Sequence, residues 1–223
     1  MSSTKIKFCG FTDIEDVKYA LDLGIDFLGL VFVESSPRYI DLLQAEGICK
    51  ICEGKIKTVG VFMNNSDEFV SNIIDNVNLD YLQFHGQESL DICVSYNKPY
   101  IKTVHISDIN VINKLDHDEN HPLQPNFLAY LLDTKIKGDS GGTGVQFNWN
   151  DIAKLKETLN SQNNHILIAG GLNPQNIQKL ILKHNPWGID VSSGIESTKR
   201  KKSFTLMKKF IENVKITDNE KNE

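Results

Sequence analysis

Short apolar segments recur along the chain, and each is followed by turn residues and then by a segment with helically spaced apolar residues. This alternation is typical of βα units around a parallel sheet. Eight such units are present, and their predicted strands are Lys5–Cys9, Asp26–Phe32, Lys57–Phe62, Tyr81–His85, Tyr100–Val104, Phe127–Asp133, His165–Ala169 and Gly188–Val191. The pattern predicts an α/β fold, most economically a single (β/α)8 TIM barrel, with a doubly wound open sheet as the alternative.

The segments between the strands carry one apolar face each, as expected of helices that pack on a sheet. Two helix starts are also visible in the sequence. Thr12 with Glu15 predicts a capping box, and Asn173 followed by Pro174 predicts an N-cap with proline at the first helical position.

No segment has the composition of a linker between two domains. The most polar connection, residues 116–126, is about as long as an ordinary surface loop can be. We therefore expect one barrel domain over residues 1–215 and a polar, frayed tail over residues 216–223.

The composition limits the classes of protein to which the chain can belong. It has 223 residues, of which 40% are hydrophobic and 24% charged, which is enough to bury a sizeable core. The formal net charge of -5 gives no indication of nucleic-acid binding, although a local basic pocket could still hold a small anion.

The sequence also bears on the expected compartment. The first residues are polar and lead directly into a strand, so we expect no secretion signal. No apolar segment approaches the roughly 18 residues of a membrane span. Four cysteines are too few for a disulfide scaffold in a chain of this length, and the expected location is the reducing cytoplasm.

Residues with reactive or charged side chains follow several predicted strands, where a barrel of this class places its active site. Cys9 ends the first strand, Arg38 follows the second, His85 ends the fourth and Asp133 ends the sixth. Each has a structural alternative: a packed cysteine, a solvated arginine, a histidine bonded to the backbone, or a turn aspartate.

Glycine-rich loops follow the last three predicted strands. They are "GDSGGTG" at Gly138–Gly144, "AGGL" at Ala169–Leu172 and "SSG" at Ser192–Gly194. Glycine lets backbone N–H groups approach an anion closely, and loops near the last two strands of such barrels often bind phosphate. Any one loop could be a simple turn, but three in succession favour a phosphate site. The candidate ligands are Gly142, Gly144, Gly170, Gly171, Ser193 and Gly194.

Six characteristic segments occur in order along the chain: "KFCGFTDIEDVKYALDLGIDFLGLVF", "SPRYI", "QFHGQES", "LLDTKIKGDSGGTG", "IAGGLNPQNI" and "GIDVSSGIES". Through these segments, nearly the whole chain resembles the phosphoribosylanthranilate isomerase family of tryptophan biosynthesis. The resemblance implies a (β/α)8 barrel that converts N-(5-phosphoribosyl)anthranilate to 1-(2-carboxyphenylamino)-1-deoxyribulose 5-phosphate. It also implies that no metal and no organic cofactor take part, and that the partner is a small phosphorylated substrate. A monomer is expected, with a homodimer as the alternative.

The same resemblance implies roles for individual residues. Cys9 would be the general base, Asp133 the general acid and Arg38 the residue that faces the anthranilate carboxylate, while His85 is a candidate for substrate binding only. The ordinary pKa values of the catalytic pair, about 8.5 for Cys and about 3.9 for Asp, do not suit these roles at neutral pH. We therefore expect burial of Asp133 and a cationic or polar neighbour for Cys9.

Three positions depart from the family's usual pattern, and none removes a proposed catalytic group. Phe11 stands where a smaller aliphatic residue is common, Val145 where a charged residue usually follows "GGTG", and Asn148 where Asp is usual. These changes bear on substrate affinity and loop order more than on the type of reaction.

Two alternatives concern function. "CKIC" at Cys49–Cys52 could be a redox pair or half of a metal site, but it lies late in the second predicted helix and is better explained by helix packing. Fold and phosphate loops alone would also suit another isomerase or synthase of a phosphorylated small molecule. The combination of Cys9, Arg38 and Asp133 distinguishes the phosphoribosylanthranilate isomerase hypothesis from that alternative.

Overall fold

The computed structural model describes residues 3–105, 126–133, 152 and 165–221. Within them, eight parallel strands form a closed barrel in chain order. The strands are β1 Lys5–Cys9, β2 Phe27–Val31, β3 Lys57–Phe62, β4 Tyr81–Phe84, β5 Tyr100–His105, β6 Phe127–Asp133, β7 Ile166–Ala169 and β8 Gly188–Val191. The predicted (β/α)8 fold is confirmed, and each predicted strand is present with ends within one residue of those expected.

Helices connect the strands wherever the connection is described. They are α1 Ile14–Leu23, α2 Leu42–Cys52, α3 Asp67–Asn76, α4 Leu90–Ser95, α5 Ile177–His184 and α6 Phe204–Glu220. Between β8 and α6 the chain forms a short 3-10 helix, Ser193–Ile195, and a small antiparallel pair of strands, β9 Glu196–Thr198 and β10 Lys201–Lys202. This insertion lies at the end of the barrel where the strands terminate, so it contributes to the barrel mouth.

Both predicted helix starts are displaced in the structure. The α1 cap is Asp13 rather than Thr12, because the extended backbone at Asp13 lets its carboxylate accept the Glu15 N–H. Asn173 accepts the N–H groups of residues 175 and 176 and so closes a turn, while the regular helix α5 begins only at Ile177.

The two-residue period of the strands decides which side chains lie inside the barrel. Ile6 and Phe8 of β1 belong to the core between barrel and helices, so Lys7 and Cys9 point into the barrel. The same alternation turns Asp190 of β8 inward, since its two neighbours belong to that outer core. The barrel also holds a cluster of buried apolar residues: Phe27, Val59, Ile101, Ala129, Leu131, Leu167 and Ala169.

The final helix continues further than the sequence indicated. The expectation of a frayed tail from residue 216 is wrong as far as Glu220, because α6 is helical to that residue. Buried Asp218 accepts both the backbone N–H and the hydroxyl of Thr4, each at 2.7 Å. These bonds tie the end of the chain to the segment that precedes β1.

None of the helices in the described part of the chain combines the length and the apolar character that a membrane crossing requires.

Replacing Asp218 by alanine is expected to lower the free energy of unfolding by about 1–3 kcal/mol, because Thr4 then loses the acceptor of two buried donors. Urea denaturation measures the change. Glu220→Ala, an exposed position on the same helix, is the control and should leave stability nearly unchanged. Equal stabilities of the two variants would show that the contact with Thr4 contributes nothing.

Candidate active site

Cys9 is the last residue of β1 and lies inside the barrel with 8% of its surface exposed. Gly29 on β2 makes room for it, since a Cβ atom there would approach the Cys9 sulfur to 2.7 Å. Val31 and Val61 pack against Cys9 on the same side. The sulfur therefore has an apolar wall formed by β2 and β3.

A buried ion pair lies beside Cys9. Lys7, two residues earlier on β1, has a fully buried side chain, and its Nζ lies 3.0 Å from Oδ1 of Asp190. Lys7 and Asp190 are register partners on β1 and β8. Lys7 and Cys9 share the inward side of β1, and the positive charge of Lys7 lowers the pKa of the Cys9 thiol.

The charges around Cys9 act in opposing directions on its acidity. Burial raises the pKa of the Cys9 thiol, Lys7 and Lys202 lower it, and Asp190 adds to the rise. The net effect is a raised pKa. The expected cationic neighbour is therefore present, and desolvation outweighs its effect on the pKa of the thiol.

Arg38 does not point into solvent, because it forms a two-pronged ion pair with Glu196. Nε and Nη2 of Arg38 each donate to a carboxylate oxygen of Glu196 at 2.7 Å. Gly10, which has a φ of 80°, allows this placement, since a Cβ there would lie 2.5 Å from Cδ of Arg38. The turn after β1 thus requires glycine for both its backbone conformation and its contact with Arg38.

Lys202 connects this pair to Cys9. Its buried Nζ donates to the Cys9 carbonyl at 2.7 Å, the Ser192 carbonyl at 3.0 Å and the Glu196 carboxylate at 3.0 Å. The ring of Phe11 lies beside it, with its centroid 5.5 Å from Nζ, so this departure from the family pattern supplies a cation–π contact. β10 thereby holds the ends of β1 and β8 together.

Burial and charge pairing also set the acidity of the cluster. Although burial alone raises the pKa of Glu196, Arg38 and Lys202 hold it below its ordinary value. Burial lowers the pKa of Lys202, and Glu196 opposes that effect. With Lys202 protonated, Arg38, Glu196 and Lys202 carry a net charge of about +1, which suits an anionic ligand.

His85 and Asp133 form a second polar group at the mouth. Nε2 of His85 lies 3.3 Å from Oδ2 of Asp133, and Asp133 is buried as expected. Nδ1 of His85 lies 3.1 Å from the Thr103 hydroxyl and 3.2 Å from the amide nitrogen of Gln83. These contacts hold the ring with Nε2 towards Asp133.

Two of the three glycine loops are described. Gly170 and Gly171 follow β7 with φ angles of 94° and 63°, a region that favours glycine. Asn176 Nδ2 donates to the Gly171 carbonyl at 2.9 Å and fixes the loop. In the 3-10 helix after β8, a Cβ on Gly194 would overlap the carbonyl oxygen of Leu172, so the loops after β7 and β8 are in direct contact.

Some predicted residues cannot be placed in this site. Gly142 and Gly144, with Val145 and Asn148, lie outside the described residues. Ser193, by contrast, is described and begins the 3-10 helix beside Gly194.

The candidates at the C-terminal edge therefore form two polar groups. Arg38 is connected to Cys9 through Glu196 and Lys202, while His85 pairs with Asp133. Cys9 ends β1 and Asp133 ends β6, and both side chains point into the barrel. The strands β7 and β8 lie between β6 and β1.

Sequence reasoning missed four charged residues of the first group. Lys7 and Asp190 could have been found, because each interrupts an apolar strand at a position that alternates with the outward-facing residues. Glu196 and Lys202 gave no such signal, since they belong to a polar segment that resembles an ordinary surface loop.

The competing thiol pair is packed inside the protein. Cys49 and Cys52 end α2, and both are buried free thiols. Burial raises their pKa values to about 12 and about 11, and that of Cys93 to about 12. Such thiols are poor nucleophiles at neutral pH, so helix packing explains "CKIC" better than redox chemistry does.

Comparison with known proteins agrees with this geometry. A family model described as N-(5'phosphoribosyl)anthranilate (PRA) isomerase matches residues 6–213. The N-(5'-phosphoribosyl)anthranilate isomerase of Geotalea daltonii is 36% identical over 212 residues, which are 95% of this chain and 97% of that protein. The enzyme of the same name from Stenotrophomonas maltophilia strain K279a is 36% identical over 215 residues, covering 96% and 94% of the two chains.

Solved structures give the same result. Phosphoribosyl anthranilate isomerase from Thermotoga maritima has a TM-score of 0.81 at 30% identity, over 95% of this chain and 98% of its own. Another phosphoribosyl anthranilate isomerase, solved in complex with reduced 1-(o-carboxyphenylamino)-1-deoxyribulose 5-phosphate, has a TM-score of 0.77 at 28% identity, with the same coverage.

Replacing Glu196 by glutamine is expected to lower the free energy of unfolding by about 1–3 kcal/mol at neutral pH. The pKa of Glu196 is lowered in the folded protein, so its stabilisation is present above the ordinary value of 4.5 and is lost as the pH falls below it. Urea denaturation from pH 7 to pH 3 should therefore show the wild type and the variant converging in acid. Glu15→Gln, in an exposed ion pair with Lys18, is the control and should show almost no difference at any pH.

Proposed function

Because the chain belongs to the N-(5'-phosphoribosyl)anthranilate isomerase family, we propose that the residues at the C-terminal edge of its barrel are the catalytic groups and substrate ligands of that reaction. The enzyme converts N-(5-phosphoribosyl)anthranilate to 1-(2-carboxyphenylamino)-1-deoxyribulose 5-phosphate in tryptophan biosynthesis. The observation that carries the assignment is that Cys9 and Asp133 both end barrel strands at the same edge of the closed barrel.

Asp133 is proposed as the general acid that opens the sugar ring. It protonates the furanose oxygen, the bond from that oxygen to C1 breaks, and the anthranilate nitrogen shares its lone pair with C1 to form a Schiff base. Nε2 of His85 lies 3.3 Å from Oδ2 of Asp133, within reach of a hydrogen bond. His85 thereby orients the acid and lies beside the bound sugar, which is the basis for proposing it as a substrate ligand.

Cys9 is proposed as the general base that completes the isomerisation. Its thiolate removes the proton from C2 of the Schiff base, which gives an enolamine that tautomerises to the ketose. The apolar wall of Gly29, Val31 and Val61 keeps water away from the sulfur. Both steps are proton transfers between substrate and side chains, so the proposed chemistry requires no metal and no organic cofactor.

Arg38 is proposed to bind the anthranilate carboxylate. A guanidinium group has five N–H donors, two of which go to Glu196, so three remain, and two of these lie side by side at the outer end of the group. Glu196 fixes the plane of that edge, and Lys202 offsets the negative charge of Glu196. A planar fork held in this way matches a carboxylate in a two-pronged geometry.

The glycine loops after β7 and β8 are proposed to bind the phosphate. Gly170, Gly171 and Gly194 occupy positions where a side chain would be strained or would clash, which leaves the backbone accessible to an anion. Ser193 adds a hydroxyl donor beside Gly194. Gly142 and Gly144 are proposed ligands on the family resemblance alone.

Two further proposals concern the state of the enzyme in the cell. The four cysteines are free thiols, which fits a cytoplasmic location. A monomer is the proposed oligomeric state and a homodimer the alternative, since one Thermotoga maritima structure is described as monomers generated from a dimeric isomerase. Light scattering on the purified chain distinguishes the two.

The acid–base assignment is tested by turnover of phosphoribosylanthranilate generated in situ. Asp133→Asn keeps the shape but cannot donate an acidic proton, so kcat should fall by roughly two to four powers of ten. Cys9→Ala should fold and lose nearly all turnover. The Cys49→Ser/Cys52→Ser variant is the control and should turn over normally, with a modest loss of stability. An active Cys9→Ala enzyme beside an inactive Cys49→Ser/Cys52→Ser enzyme would overturn the mechanism.

The phosphate assignment is tested with two variants of one size. Asn and Asp tolerate the positive φ of Gly171 about equally, so Gly171→Asp and Gly171→Asn differ mainly in charge. A like charge about 4 Å from the phosphate costs roughly 1–4 kcal/mol, so KM for Gly171→Asp should exceed that for Gly171→Asn by about tenfold or more. Equal KM values for two folded variants would place the phosphate elsewhere.

A further inference from the structure

Lys7 and Asp190 form a buried ion pair that the proposed mechanism does not use. A buried pair seldom stabilises a fold, because the loss of hydration offsets the attraction of the charges. Apolar side chains of similar size could fill the same space, as the apolar cluster does elsewhere in the barrel. Stability alone therefore does not explain a fully buried lysine at this height in the barrel.

The position of the pair indicates a role. Lys7 and Cys9 are two residues apart on β1, so their side chains lie on the same side of the strand, one above the other. Asp190 is the register partner of Lys7 on β8 and holds its Nζ at 3.0 Å. Lys7 therefore lies beside both a fixed carboxylate and the residue that is proposed as the base.

We propose that Lys7 is a positioning residue whose ammonium group stabilises the Cys9 thiolate during proton transfer, while Asp190 keeps Lys7 charged and in place. The inference rests on the proposed role of Cys9 as the base. A cation is needed at this point because a thiolate formed against the apolar wall of β2 and β3 loses its hydration.

The other charges near Cys9 do not replace Lys7. Lys202 donates to the Cys9 carbonyl and to Glu196, and Arg38 is paired with Glu196. Burial alone would lower the pKa of Lys7, but Asp190 and Cys9 raise it above its ordinary value, so Lys7 is charged at neutral pH. Asp190 itself raises the pKa of the thiol, so the two members of the pair act on Cys9 with opposite sign.

Because Lys7 and Asp190 act on the pKa of Cys9 with opposite sign, their replacement should shift that pKa in opposite directions. A pair with a purely structural role would not produce these opposite shifts. The Cys9 thiol is titrated by the ultraviolet absorbance of its thiolate, taken as the difference between each protein and the same protein with Cys9→Ala. The other three cysteines have pKa values of about 11 to 12 and contribute little below that range. The variants are Lys7→Met, Asp190→Asn and the double variant.

Lys7→Met should move the Cys9 midpoint upward by about one to three pH units, and Asp190→Asn should move it downward. The double variant, which leaves no unpaired buried charge, should lie between wild type and Lys7→Met. It therefore decides the question even if a single variant does not fold. A midpoint in Lys7→Met, or in the double variant, at or below that of the wild type would overturn the inference.

Turnover measurements distinguish a failure of the role inferred for Lys7 from a failure of the proposed role of Cys9, on which it rests. The Lys7 side chain is fully buried, so Lys7→Met should lower kcat, shift its pH profile upward and leave KM nearly unchanged. Inactive Cys9→Ala together with a wild-type midpoint and pH profile in Lys7→Met would refute the role of Lys7 alone. Active Cys9→Ala would refute the base itself, and the catalytic part of the inference with it.

Discussion

The pairing of β1 with β8 is the interaction on which the rest of the structure depends. It closes the sheet and fixes the register in which Lys7 lies opposite Asp190. In a closed barrel every second side chain must point inward, so closure determines that Cys9 lies in the interior. The residues that follow these two strands, Gly10 and Ser192, are then brought to Arg38 and Lys202.

The mouth of the barrel combines buried charge with close pairing. Glu196 accepts from Arg38 and Lys202, and Lys202 also holds the carbonyl groups at the ends of β1 and β8. Removing Glu196 would leave Arg38 and Lys202 without their carboxylate partner, which is costly. The same network that fixes the strand ends therefore orients the edge of Arg38 that is proposed to receive the substrate.

The fold was largely predictable from sequence, whereas the site was predictable only in part. Apolar segments alternating with helical spacing predicted all eight strands, because burial on both faces imposes that composition locally. The candidate residues Cys9 and Asp133 could be found because each ends such a segment. The ionisation of Cys9 could not be predicted, because it depends on the balance between desolvation and several cations.

The sequence by itself determined the eight βα units, the strand ends and the residue types that follow them, since these depend on local periodicity and turn chemistry. The tertiary structure decided which charges meet. Arg38 and Glu196 are 158 residues apart, Lys7 and Asp190 are 183 apart, and Thr4 and Asp218 are 214 apart. No local pattern relates such positions, because only closure of the barrel brings them together, and their pairing energies depend on burial that the closed fold creates.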